Sequence, residues 1–281
     1  MRLARYAFPA LCAAFAAGCA ISVQEELRLG QSYAAQLDRE LPIVRDPAIQ
    51  TDLDRIAARL TPFSQRREVT YQFRIVNSAV VNAFAVPGGY VYVTRGLIEH
   101  AGAMDELAGI LGHEIGHVEH RHSARQIGRA QAAQVGIGIT QVLTEGRRGA
   151  DVVNTGAAIT GNLVLARYSR EQEEESDRTA VALTTAARIN PQGIVNFFQT
   201  LQRVEGDRPG ALESFFLSHP LTATRIEATQ ALIAATPAAQ ALVTTGEHDA
   251  PEFQRLKAAV RRLPPPADAK PPSQPPPPPR R

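Results

Sequence analysis

The chain has 281 residues, with 30 Lys and Arg against 28 Asp and Glu, two Cys and no Trp. Met1 to Cys19 reads MRLARYAFPALCAAFAAGC, in which two arginines precede an apolar run too short to span a bilayer and then small residues, the pattern of a secretory signal peptide. Without residues 1–18 the 30 basic residues lose Arg2 and Arg5 and become 28 against 28 acidic, so no nucleic-acid partner is expected. Cys12 leaves with the signal, and Ala-Ala-Gly-Cys resembles a bacterial lipobox, which makes Cys19 the expected lipidation site. Ala16 departs from the usual Leu of that motif, and the alternative is an ordinary secretory signal. Either way the folded part keeps no thiol for disulfides or thiolate ligands, and any metal must be held by His, Asp or Glu.

In chain order, residues 1–18 are read as signal, 19–60 as a lipidated N-terminus with covering helices, 61–230 as the core, 231–263 as C-terminal helices and 264–281 as a tail. Ser22 to Leu60 is helical in two pieces, and Asp46 before Pro47 is placed as the N-cap of the second. Val69 to Val76 alternates as a half-buried strand. Asn82 to Val86 and Tyr90 to Thr94 flank Pro87-Gly88-Gly89, whose glycines supply the positive φ of a tight reversal.

From Asp105 the apolar period becomes helical, with Leu107, Ile110, Leu111, Ile115 and Val118 on it. Gln126 to Tyr168 reads as a small-residue helical hairpin, and helices follow over 170–187, 192–204 and 222–235. The tail, LPPPADAKPPSQPPPPPRR from Leu263, is biased to polyproline II and cannot bury a core. This order gives an α+β fold, mostly helical, with a small antiparallel sheet.

HEIGH, residues 113–117, places His113 and His117 one helical turn apart, on one face, where two imidazoles can converge on one ion. Glu114 projects beside the first of them, in reach of a metal-bound water. A third ligand is not decided by spacing. His120 and His122 are read as exposed or lying behind the ligands, and the run SREQEEESD offers Glu171, Glu173, Glu174, Glu175 and Asp177. Glu173 and Asp177 share a face, so one can bind metal while the other accepts an imidazole N–H.

NAFAVPGGYVYVTRGL (Asn82 to Leu97), ELAGILGHEIGHVEHRH (Glu106 to His122), YSREQEEESD (Tyr168 to Asp177) and SHPLTATRI (Ser218 to Ile226) together resemble the M48 family of zinc metallopeptidases, in its bacterial periplasmic or lipoprotein branch. The resemblance implies a zincin-like domain binding one Zn²⁺ through His113, His117 and Glu173. It also implies Glu114 as general base, Asp177 behind a ligand, and His219 and Arg225 near the oxyanion, with His219 alternatively binding zinc in a resting state. Asn82, Ala83 and Phe84 match the family's edge strand, to which a substrate can add as an extra strand.

The function expected is a zinc endopeptidase that cleaves unfolded or misassembled envelope proteins in the periplasm, anchored to the outer membrane through Cys19 and working beside the envelope assembly machinery. The alternative is an autoinhibited zinc-bearing chaperone or assembly factor for outer-membrane proteins. An incidental His pair would leave the other three motifs unexplained.

Overall fold

The structure, a computed structural model of the chain, describes residues 21–129, 168–207 and 212–266. The signal, Cys19, most of the expected hairpin and nearly all of the proline tail lie outside them. The described elements are α1 (Val23–Glu40), α2 (Pro47–Ala57), β1 (Gln72–Val76), β2 (Ala83–Val86), β3 (Tyr90–Thr94), α3 (Arg95–His100), α4 (Met104–Glu119), α5 (Arg170–Ala186), α6 (Gly193–Asp207), α7 (Glu213–Ser218), α8 (Ala223–Ala235), α9 (Pro237–Thr245) and α10 (Pro251–Arg261). The expected α+β, mostly helical class is what they form.

Local chemistry accounts for the boundaries. Asp46 accepts from the backbone N–H groups of Ala48 and Ile49 with Pro47 just inside α2, satisfying donors that a helix N-terminus leaves orphaned. Ser169 and Gln172 form a reciprocal capping box at the start of α5. At the β2–β3 turn Gly88 and Gly89 adopt φ of 80° and 95°, which side chains resist.

The expected antiparallel pairing holds between β2 and β3, but β1 runs parallel to β3, so the sheet is mixed, in the order β1-β3-β2. The chain before β1 limits the edge on which the hairpin can pair. Val44 donates to the Ile75 carbonyl and Asn77 to that of Pro42, so residues 42–44 already occupy the outer edge of β1. The hairpin can then pair only on the other side.

One hydrophobic core runs from α2 and the sheet through α4 to α6 and α10, with Leu53, Ile75, Leu111, Phe197 and Phe253 among its fully buried members. Every residue of α4 from Met104 to Val118 is buried. A helix buried all round is a central core helix, and α4 is gripped by α5 and α6. Its small residues permit this. A Cβ on Gly116 would stand 2.8 Å from the Ser176 Cα of α5, so glycine between the two histidines lets α5 bring its acids close. Among the described residues no helix is long and apolar enough to cross a membrane.

Candidate metal centre

Four side chains from three segments meet at the C-terminal half of α4. His113 and His117 come from α4, Glu173 from the first turn of α5, and His219 from the residue that ends α7. One donor atom from each lies within 4.8 Å of all the others, and all four side chains are buried. A tetrahedral ion with bonds of about 2.1 Å holds its donors about 3.4 Å apart. The observed separations lie at or just below that value: 3.0 Å between the two Nε2 atoms of His113 and His117, 3.4 Å from His117 Nε2 to Glu173 Oε1, 3.4 Å from His113 Nε2 to His219 Nδ1, and 3.1 Å from His219 Nδ1 to Glu173 Oε1.

Proton placement favours a cation at the centre. His113 Nδ1 lies 2.8 Å from Asp177 Oδ1 and donates to it, so His113 Nε2 is a lone pair aimed inward. His117 Nδ1 is likewise engaged away from the centre, 2.8 Å from His122 Nδ1. Were His117 also to carry its proton on Nδ1, two lone pairs would face each other at 3.0 Å, and a cation between them would satisfy both. The donor set is imidazole and carboxylate without thiolate, which suits zinc. The residues present therefore fit the metal that the sequence pattern suggests.

The electrostatics agree. Burial pushes His117 well below the ordinary imidazole range, keeping it neutral as a ligand must be. Glu173 and Asp177 are held as carboxylates despite their burial, Glu173 by His219 and Arg225 and Asp177 chiefly by Arg225. Burial opposes protonation of His219, but Glu173 and Glu114 outweigh it and raise its pKa.

Glu114 is the exception. Both of its carboxylate oxygens are buried without a hydrogen-bond partner among the described residues, and its nearest ionic neighbour is His219 Nε2 at 3.5 Å. Burial accordingly raises its pKa. A carboxylate kept buried without a hydrogen bond is costly to the fold.

Arg225 lies beside the ligands. Its Nε and Nη2 bond Asp177 at 2.6 and 2.8 Å, and its Nη1 pairs with Glu173. A guanidinium committed to two carboxylates is placed to hold them rather than to meet an oxyanion. It also lies over the Phe198 ring at 4.7 Å.

Ala83 and Phe84 lie on β2, the last strand in the order β1-β3-β2, with Asn82 just before it, and all three are buried, Phe84 stacked on Tyr92. His122 is fully buried against His117, whereas His120 turns aside to Thr179. Two neighbours are not singled out by the sequence: Tyr168 lies within a quoted motif, and Glu175 is one of five acids that spacing does not separate. Tyr168 stacks on His117 at 3.9 Å between ring centroids and bonds Ser123, which in turn donates to the Ala85 carbonyl of β2. Glu175 holds His122. The approach of His122 is invisible to helical periodicity, because Arg121 takes φ of 55° and reverses the chain before it. The approach of Tyr168 depends on tertiary packing alone.

A His-Glu-x-x-His helix that receives an acid from a second helix, beside a small sheet, defines a zincin-like metallopeptidase. Residues 47–233 match the model of peptidase family M48, and the chain belongs to that family. It is 28% identical over 221 residues to the beta-barrel assembly-enhancing protease of Escherichia coli K12, covering 75% of this chain and 44% of that one. It is 26% identical over 213 residues to the mitochondrial metalloendopeptidase OMA1 of Schizosaccharomyces pombe, covering 73% and 60%. With metalloprotease YcaL of E. coli K12 it shares 30% identity over 162 residues, 55% of this chain and 59% of that one. The chain thus spans only 44 to 60% of the length of these relatives.

Proposed function

We propose that this chain is a zinc-dependent endopeptidase acting on extended segments of unfolded or misassembled cell-envelope proteins. The observation that carries the proposal is the near-tetrahedral donor set of His113, His117, Glu173 and His219, with the unpartnered carboxylate of Glu114 beside it. Bound there, zinc would supply Lewis acidity toward a peptide carbonyl and a water. Glu114 takes the proton from the attacking water and returns it to the departing amide nitrogen as the carbon–nitrogen bond breaks. Asp177 holds His113 by its Nδ1 proton, and Arg225 keeps Asp177 and Glu173 charged and aimed. Asn82 to Phe84 offers an edge for backbone pairing once the site opens.

The envelope assignment rests on the signal-like N-terminus ending at Cys19, a lipid-anchored form on the outer membrane being the reading adopted. The name of the E. coli relative, an assembly-enhancing protease, points the same way. The first test is zinc content of the purified protein by elemental analysis. About one zinc per chain is expected, lost in Glu173→Ala and kept in Glu174→Ala. Zinc-free folded wild-type protein would defeat the proposal.

A second reading has its own observation. His219 is fully buried and its Nδ1 stands beside the other three donors, where it would take the position that a water or a substrate carbonyl needs. An autoinhibited zinc protein that serves outer-membrane assembly would look like this. His219→Ala separates the two: faster cleavage of an unfolded reporter marks an enzyme held off by His219, and unchanged silence favours the assembly role.

A further inference from the structure

His122 is not a bystander of the metal site. It is fully buried, and its two ring nitrogens are both committed, Nδ1 to His117 Nδ1 at 2.8 Å and Nε2 to Glu175 Oε2 at 3.0 Å. Glu175 is the outer member, its side chain 37% exposed. The three groups form a line from the centre of the site to the surface of α5.

With both imidazoles neutral, only one arrangement of protons satisfies that line. If His117 carried its proton on Nε2, its Nδ1 would have to accept from His122 Nδ1–H. His122 Nε2 would then present a lone pair to the Glu175 carboxylate at 3.0 Å, acceptor against acceptor. The reverse arrangement has no such conflict. Glu175 accepts from His122 Nε2–H, His122 Nδ1 accepts from His117 Nδ1–H, and His117 Nε2 is left as a lone pair pointing at His113 and Glu173.

We infer that Glu175 and His122 are positioning residues for the metal, fixing the tautomer of His117 through a Glu–His–His relay. This rests on the zinc reading above and assigns to two further residues the work that Asp177 does alone for His113. The two ligand histidines therefore have unlike supports. His113 leans directly on a charged carboxylate, whereas His117 leans on a neutral imidazole with the carboxylate one residue removed. Outer partners of this kind govern metal affinity by about 10- to 100-fold.

The test is zinc affinity by competition with a chromophoric chelator, on the purified protein, with the visible spectrum of the Co²⁺ form as a second readout of ligand geometry. His122→Phe, which keeps a ring but offers no acceptor, should bind zinc about 10- to 100-fold more weakly and shift the Co²⁺ bands. Glu175→Ala, at a partly exposed position that does not threaten folding, should lose about tenfold. Glu175→Gln, whose amide oxygen accepts the same N–H, should stay within about threefold of wild type.

Wild-type affinity in both His122→Phe and Glu175→Ala would overturn the relay while leaving the zinc site intact. A Glu175→Gln as weak as Glu175→Ala would overturn it too, since charge rather than proton direction would then be at work. Wild-type protein that binds no zinc at all would instead defeat the metallopeptidase reading itself.

Discussion

Glu114→Gln should hold as much zinc as the wild type and cleave peptides at least about 100-fold more slowly, the scale on which general-base catalysis is lost. Gln keeps the shape of the side chain and removes its ability to take a proton. The carboxylate donates to no ligand and accepts from none, both of its oxygens lacking hydrogen-bond partners among the described residues. The donor set of His113, His117, Glu173 and His219 should therefore be untouched.

A second readout sharpens this. Glu114→Gln removes a buried carboxylate that no hydrogen bond stabilises and with it the ionic neighbour of His219 at 3.5 Å, so the melting temperature of the metal-free variant should change little. Activity of an unfolded reporter assay, zinc content and melting temperature are measured on the same preparation. Full activity in Glu114→Gln would sink the mechanism. Lost activity with lost zinc would show that Glu114 serves the metal and not the proton.

How much of this was legible beforehand depends on which interactions are local. The turn at Gly88-Gly89, the Asp46 cap and the Ser169 start of α5 are short-range effects, and the sequence marks them with the residue types that such geometry demands. The pairing of His113 with His117 follows from helical spacing. The choice of Glu173 over its acidic neighbours does not, because it is made by packing. Gly116 lets α5 come close enough for Glu173 to face the histidines, while Glu174 points out toward Arg178 and Glu175 toward His122.

The same distinction explains the sheet. Alternation identifies β1 as a strand but carries neither partner nor direction: residues 42–44 leave one edge of β1 for the hairpin, and the pairing is parallel because β3 rather than β2 takes that place. It also explains Arg225. Its sequence position beside the Ser-His-Pro segment suggested a role toward substrate, but a guanidinium carried inside a protein must find carboxylates, and α5 supplied two.

Asp177→Ala should be the most damaging single change to the support of the site. It removes the acceptor for His113 Nδ1–H, at 2.8 Å, and both hydrogen bonds that tie Asp177 to Arg225. Arg225 is then left buried with Glu173 as its one carboxylate, and breaking a buried pair from one side costs about 3 to 5 kcal/mol. Zinc affinity should fall as well, by about 10- to 100-fold, because His113 loses the group that sets its tautomer.

Asp177→Asn separates the two losses. Its amide oxygen still accepts from His113, so zinc affinity should largely survive, while the charge facing Arg225 is gone and the melting temperature should still drop. Urea unfolding of metal-free protein and chelator competition measure the two quantities independently. An Asp177→Ala protein as stable as wild type would mean that Arg225 finds another partner; one that binds zinc as tightly would mean that His113 needs no help. Because Asp177 supports a ligand and also balances a buried guanidinium, its loss should cost stability that the loss of the neutral His122 does not, and that inequality follows from the charges alone.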